Sequence, residues 1–146
     1  MKTKITEYNI RLLSHKDKVR FALFCAKQVK YKIKDIEGFN CIRMVEKWLD
    51  GKATSNDCRI AADLAYDVAN GEDGIGRLNA EQYATYTSYC ATHVTMSNNA
   101  SGVCHTAEYA RNTISHNTNN AKEEQEKYLY ELIHLDDIVE KELLGG

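Results

Sequence analysis

The chain has 146 residues, of which 43% are hydrophobic and 27% charged, and its formal net charge is −2. This length suits one domain with a sizeable core, and the near-neutral charge provides no whole-chain field that would favour nucleic acid or a membrane surface. The chain contains no proline and only eight glycines, which is little turn punctuation for an all-β fold. We therefore predict an all-α fold, a single-domain helical bundle over residues 1–146 with about six to eight helices and a core of alanine and other small residues.

Cysteine use and hydropathy indicate the compartment. The five cysteines are odd in number, form no CxxC pair and all lie in periodic segments, which predicts reduced thiols in the core of a cytoplasmic protein. The first residues have no apolar run behind them, so no signal peptide is predicted. No stretch approaches the roughly 20 apolar residues of a membrane span, so no membrane partner is expected.

The first part of the chain predicts three helices. Residues 3–12 form a short leading helix in this interpretation. Ser14 is predicted to cap a second helix that runs to about residue 34, and residues 39–49 form a third that ends at Gly51. The residues expected to face inward from the leading helix are Ile5, Tyr8 and Leu12.

A stripe of small side chains follows. These residues recur at helical spacing, which predicts one buried helix face. Small side chains allow a neighbouring backbone to approach closely, and residues 80–94 and 100–114 supply helices of similar shape. We predict that these three helices are the central ones of the domain. The stripe comprises Cys58, Ala61, Ala62, Ala65, Val68 and Ala69.

Two cap pairs mark the starts of helices within this region. Thr54 with Asp57 precedes the small-residue helix, and Asn79 with Gln82 forms a capping box for the next one. Three glycines make residues 71–78 the clearest loop between them.

The last third of the chain predicts two more helices. A turn at 97–99 leads to a helix over residues 100–116, and a polar break follows at 117–120. A final helix covers residues 122–135 and continues towards residue 144 after a kink.

The order of these features resembles an immunity-protein domain, of the type numbered five, from bacterial polymorphic-toxin systems. The resemblance covers residues 18–114 and implies neutralisation by binding, either of a toxin or, in a phage, of a host defence effector. The chain departs from the family pattern in having fewer alanines, and in having Asn98-Asn99-Ala100 where a His-Ala step is usual. The matching segments are Trp48-Leu49-Asp50-Gly51, Arg59 with Ala61-Ala62, Ala91-Thr92-His93-Val94 and Ala107-Glu108-Tyr109-Ala110.

Catalytic and metal chemistry are not predicted. The serines lie at caps and turns, and neither GxSxG, a P-loop nor GxGxxG occurs. Cys90 with His93, and His105 with Glu108, are pairs three residues apart that suit zinc chemically. Their spacings match no established zinc pattern, so we predict no metal, no cofactor and no enzyme activity.

Tyrosine provides the stronger signal, because nine tyrosines occur. Residues 83, 86 and 89 step around one helix by three, so these rings cannot all be buried. One interpretation places them at the core edge with hydroxyls in water. The other is a cleft of tyrosines and arginines, in which Arg59 and Arg111 act as bidentate donors. The predicted binding residues are Trp48, Arg59, Tyr66, Tyr86, Tyr89, His93, His105, Tyr109 and Arg111.

Charge is unevenly distributed along the chain. Residues 16–34 contain seven basic residues against one aspartate, and residues 122–142 contain eight acidic residues against three lysines. These segments are solvated faces, or neighbours within the fold or across a homodimer. The basic face lacks aromatic residues other than Tyr31, so nucleic-acid binding is not expected.

Two functional hypotheses follow. The first is a non-catalytic inhibitor of the immunity or phage anti-defence type that binds a toxin or defence effector protein. The second is a pocket that sequesters a small anionic, nucleotide-like signal, with Arg and His holding phosphate and Tyr or Trp48 stacking on the base. A thermal-shift screen with nucleotides distinguishes the two.

Overall fold

The computed structural model describes residues 1–70, 79–114, 118–135 and 143–144. Within these ranges seven α-helices and one short 3-10 turn form the regular structure, and no strand occurs, which confirms the all-α prediction. The helices are α1 (Glu7–Arg11), α2 (His15–Gln28), α3 (Ile36–Leu49), α4 (Ser55–Asn70), α5 (Ala80–Met96), α6 (Ala100–Thr113) and α7 (Thr118–Ile133), with the 3-10 turn at Lys30–Lys32.

The helices pack in two layers. In the first layer α5 lies between α4 and α6, as predicted for the small-residue helices. The second layer contains α2 and α3, and α5 contacts both of them. α7 contacts α2 and α6, while α1 contacts α6. Helix α5 is therefore covered on three sides, and its fourth side faces away from the second layer.

Both α4 and α5 bury small side chains. Ala62 and Ala65 of α4 are fully buried, as is Ala84 of α5. Several buried hydroxyls on α5 are hydrogen-bonded within the helix; for example, Thr87 Oγ1 donates to the Tyr83 carbonyl at 2.7 Å. Because a buried hydroxyl costs little free energy once it is hydrogen-bonded, these polar residues fit a core position.

Val68 was predicted in the buried stripe, and this prediction is wrong: its side chain is 39% exposed. Ten residues after Cys58, it is rotated by about 80° from that residue at 100° per residue, to the edge of the stripe. Cys58 and Ala69, at the ends of the same stripe, are fully buried.

The predicted N-terminal caps of α2, α4 and α5, and the predicted end of α3 at Gly51, are confirmed. Ser14 Oγ caps α2. Thr54 and Asp57 exchange two hydrogen bonds at the start of α4, of 2.9 and 3.1 Å. Asn79 and Gln82 form the capping box of α5. Gly51 follows α3 with φ of +74°, the left-handed conformation that glycine adopts at little cost.

The leading helix is shorter than predicted and has a different phase. Its N-cap is Thr6, whose Oγ1 accepts from the Asn9 N–H, so the helix begins four residues later than predicted. Ile10 is the buried residue of α1. Tyr8 and Leu12 are 72% and 58% exposed, which contradicts their predicted inward orientation.

Other boundaries differ as well, and α3 begins at Ile36 rather than at residue 39. α2 ends at Gln28 rather than near residue 34, because the chain tightens into the 3-10 turn before Asp35 caps α3. α6 ends at Thr113 rather than at residue 116, and α7 begins at Thr118, inside the predicted polar break. The predicted loop at 71–78, the kink near residue 136 and the continuation through 142 lie outside the described residues.

Gly38 provides a test of the close packing between α3 and α5. A Cβ at this position would lie 2.8 Å from Ile33 Cγ2 and 3.2 Å from Thr85 Oγ1. We expect Gly38→Ala to lower the free energy of unfolding by about 1–2 kcal/mol through overpacking. The matched control is Gly102→Ala in α6, where a Cβ has open space and should stabilise by about 0.5–1 kcal/mol. Urea denaturation of both variants measures this, and equal effects would contradict the packing argument.

Candidate functional site

Six aromatic rings form a continuous series of contacts on the outer side of α4, α5 and α6. Neighbouring ring centroids are 4.5–6.0 Å apart, the usual separation for tilted and edge-to-face aromatic pairs. We call this surface the tyrosine face. Its members are Tyr66, Tyr83, Tyr86, Tyr89, His93 and Tyr109.

Helical periodicity on α5 positions the centre of this face. Tyr86, Tyr89 and His93 follow one another at three- and four-residue steps and share one side of α5. Neighbouring helices supply the flanks. Tyr66 of α4 lies 5.2 Å from Tyr89, and Tyr109 of α6 lies 4.7 Å from Tyr86, with the latter two ring planes at 72°. Three helices thus contribute to one aromatic surface.

The rings of the tyrosine face are partly buried and partly exposed. Tyr89 packs against a small buried cluster of Cys41, Ala61 and Ala65. Tyr66 is 44% exposed, and the other tyrosines of the face are half-buried. Such side chains offer a large contact area with little rotamer freedom left to lose on binding.

Burial raises the pKa of three phenols of this face. Desolvation raises the pKa of Tyr86 to about 12, and desolvation also raises the pKa of Tyr89 and of Tyr109. Like any neutral phenol, these hydroxyls can donate hydrogen bonds at pH 7. Cys90, which interacts electrostatically with Tyr86, has its pKa raised to about 12 by desolvation, so it is a protonated thiol and a poor nucleophile.

Carboxylates border the tyrosine face. The charge of the Asp63 carboxylate on α4 favours a higher pKa for Tyr89 and for His93, and the charge of Glu108 on α6 does the same for Tyr109. The Arg59 guanidinium lies 3.9 Å from Asp63 Oδ2 and donates to Asn56 Oδ1 at 2.7 Å. Both of these partners of Arg59 lie on its own helix, α4, and one of them, Asp63, borders the tyrosine face.

The pKa of His93 measures the electrostatic effect of Asp63 at this edge of the tyrosine face. Desolvation lowers its pKa below the ordinary 6.5, and the Asp63 carboxylate partly opposes that shift. Removing the carboxylate in Asp63→Asn is expected to lower the His93 pKa further, because the imidazolium loses its favourable neighbour. NMR titration of the His93 ring measures this, with Glu123→Gln on α7 as control. An unchanged or raised pKa in Asp63→Asn would place Asp63 away from the ring.

Arg111 does not join the tyrosines. Its Nη1 donates to Oε1 of the fully buried Gln125 at 2.9 Å, and Gln125 Nε2 donates to Gln28 Oε1 at 2.9 Å. Arg111 follows Tyr109 by two residues, about 200° around the helix, and so projects to the opposite side of α6. The predicted cleft uniting arginines with tyrosines is therefore not formed.

Trp48 and His105 also lie apart from the ring series. The Trp48 indole N–H donates to Ser55 Oγ at 3.3 Å, and its ring packs on His15 at 5.2 Å. The His15 Nε2 in turn bonds to the Val94 carbonyl at 2.6 Å, so Trp48 joins helices α2, α3, α4 and α5. His105 is exposed on α6, one turn before Tyr109.

An exposed apolar stripe on α4 was missed from the sequence. Ile60, Leu64 and Val68 are 51%, 56% and 39% exposed. Ile60 and Leu64 also line an open groove of about 300 Å³ between α3 and α4, together with Met44. Their spacing at i, i+4 and i+8 outside the alanine stripe is the signal that could have identified them.

Over the described part of the chain, no group of three or more His, Cys, Asp or Glu side chains could hold a metal ion. No helix in that part is long and apolar enough to cross a bilayer. The five cysteines are free thiols.

Comparisons of the chain with protein-family models, with curated proteins and with solved structures find no match. The resemblance to type-five immunity domains therefore rests on the residues quoted for it. Of its large matching residues, His93 and Tyr109 belong to the tyrosine face, Arg59 lies at the edge of that face, and Trp48 lies at a helix junction.

Proposed function

We propose that this chain is a non-catalytic inhibitor of the immunity or anti-defence type, which neutralises a partner protein by binding it through the tyrosine face. The observation that carries the proposal is the unbroken series of six rings contributed by α4, α5 and α6. Tyrosine is enriched at the energetic centre of protein interfaces because it combines apolar area with a polar tip.

The form of the surface supports a protein partner. Tyr66 is 44% exposed, and the rings of Tyr86, Tyr89 and Tyr109 continue from it across α5 to α6, so the series forms one broad aromatic surface. Contiguous exposed apolar surface of this kind is typical of protein-binding sites. A small ligand instead requires a concave site that covers most of its surface.

The alternative of a small anionic ligand has less support. Phosphate recognition requires converging cationic donors, whereas Asp63 and Glu108 border the rings. Arg111 is engaged by Gln125 on the other side of α6. The balance of charge favours the protein-binding hypothesis.

Site-specific photo-cross-linking tests the proposal. Benzoylphenylalanine replaces Tyr66 in one variant and Tyr8 in the control, because Tyr8 is 72% exposed on α1 and is not a member of the tyrosine face. We expect the Tyr66 variant alone to cross-link a single protein in the native host. The purified partner should then lose its toxic or defence activity when the chain is added at equal concentration.

Two outcomes would overturn the proposal. One is cross-linking at both positions to the same unspecific set of proteins. The other is stabilisation by a nucleotide in a thermal-shift screen, since a ligand at 100 times its Kd stabilises a protein by about 2.7 kcal/mol.

A further inference from the structure

We infer that the tyrosine face receives a cation, namely an arginine or lysine side chain on a basic surface of the partner protein. This inference rests on the proposed function and names the chemistry of the group that the rings contact. In the second hypothesis from the sequence, Arg59 and Arg111 hold an anionic ligand. The present inference gives the partner the opposite charge.

The first argument is the charge of the helices that form the face. Helices α4, α5 and α6 contain five carboxylates and two arginines, and α5, which provides four of the six rings, contains neither lysine nor arginine. Of the two arginines, Arg59 already lies beside Asp63, and Arg111 donates to Gln125 away from the rings. The carboxylates are Asp57, Asp63, Asp67, Glu81 and Glu108.

The second argument is the geometry of the rings. Tyr86 and Tyr109 meet at 72°, and Tyr89 and His93 meet at 68°. In an edge-to-face pair the edge of one ring covers one π face of the other, so each ring keeps a negative π face that the pair itself does not cover. A guanidinium or ammonium within about 6 Å of a ring centroid is attracted by that face.

The carboxylates and the rings occur together at both sides of the tyrosine face. Asp63 lies one turn before Tyr66 on the same side of α4, and Glu108 directly precedes Tyr109 on α6. The charge of Asp63 acts on the pKa of Tyr89 and His93, and that of Glu108 acts on the pKa of Tyr109. A cation held over the rings is therefore bordered by a carboxylate on each flank. Charged rims of this kind steer oppositely charged partners and suppress those of like charge.

A pair of matched peptides tests the inference without the natural partner. The probe is a short acetylated glycine peptide containing two arginines, and the control replaces both with citrulline, which has nearly the same shape without the charge. The protein carries ¹³C-labelled tyrosine. We expect the arginine peptide, at millimolar concentration, to shift the ring resonances of Tyr66, Tyr86, Tyr89 and Tyr109, and to leave those of Tyr8 and Tyr31 in place.

Two variants separate the carboxylates from general surface charge. The double substitution Asp63→Asn with Glu108→Gln should weaken arginine-peptide binding roughly threefold or more. Glu123→Gln with Glu131→Gln on α7 removes the same charge elsewhere and should leave binding unchanged. Equal weakening by the two double variants would overturn the inference.

The other outcomes are also decisive. Equal shifts with the citrulline peptide, or no shift with either peptide, would overturn the inference that the tyrosine face binds a cation. The cross-linking experiment would still decide the proposed function independently. Shifts with a glutamate peptide instead would favour an anionic ligand and overturn both. A dimer in sedimentation equilibrium that Tyr66→Ala dissociates would assign the face to a second copy of this chain, and would likewise overturn the inference.

Discussion

Tyr86→Ala is expected to weaken binding of the partner protein by about 2–4 kcal/mol, the loss typical of a central aromatic residue in an interface. Tyr86 contacts both Tyr89 and Tyr109, at 5.2 and 4.7 Å, so its removal interrupts the series of rings at its middle. The partner identified by cross-linking provides the binding assay, and calorimetry measures the change.

Two further variants show whether the ring itself is responsible. Tyr86→Phe keeps the ring and should retain most of the affinity. Tyr31→Ala removes a ring that is 61% exposed in the 3-10 turn and should have no effect. Intact binding by a folded Tyr86→Ala protein, verified by circular dichroism, would remove the tyrosine face from the interface.

Ala62→Leu is expected to have the largest effect on stability, a loss of about 3 kcal/mol in the free energy of unfolding, at the upper end of overpacking costs. Ala62 is fully buried in α4, and α4 packs closely on α5. Three added carbon atoms would force the two helices apart. Chemical denaturation measures the loss.

Asp67→Leu is the matched control, because it places the same side chain on the exposed side of the same helix. It should change the free energy of unfolding by less than about 0.5 kcal/mol. If Ala62→Leu were as mild as its control, the helices would not depend on small residues for their approach.

Features governed by neighbouring residues along the chain were predicted well. The cap pairs at Thr54 and Asn79 form as expected, because a side chain three residues from its backbone partner needs no other part of the fold. The alanine stripe likewise identified which side of α4 is buried, since that follows from the helical period alone.

The predictions of helix bounds and phase were wrong where these depend on packing against other elements. The phase of α1 depends on the Thr6 cap and on burial of Ile10. The end of α2 depends on where Asp35 caps α3, and the Asp35 carboxylate also accepts a 2.6 Å hydrogen bond from Thr85 of α5. Such bonds across 50 residues of chain leave no periodic signal.

The candidate site also has one part that the sequence determines and another part that only the packing of the helices determines. Which residues carry rings, and that three of them step along one helix, follows from the order of amino acids, because the α-helix has one fixed period. That Tyr66 and Tyr109 meet those rings while Arg111 turns to Gln125 depends on how α4, α6 and α7 are placed around α5. Packing between the helices determines which way each side chain points, and therefore whether carboxylates or arginines lie beside the rings.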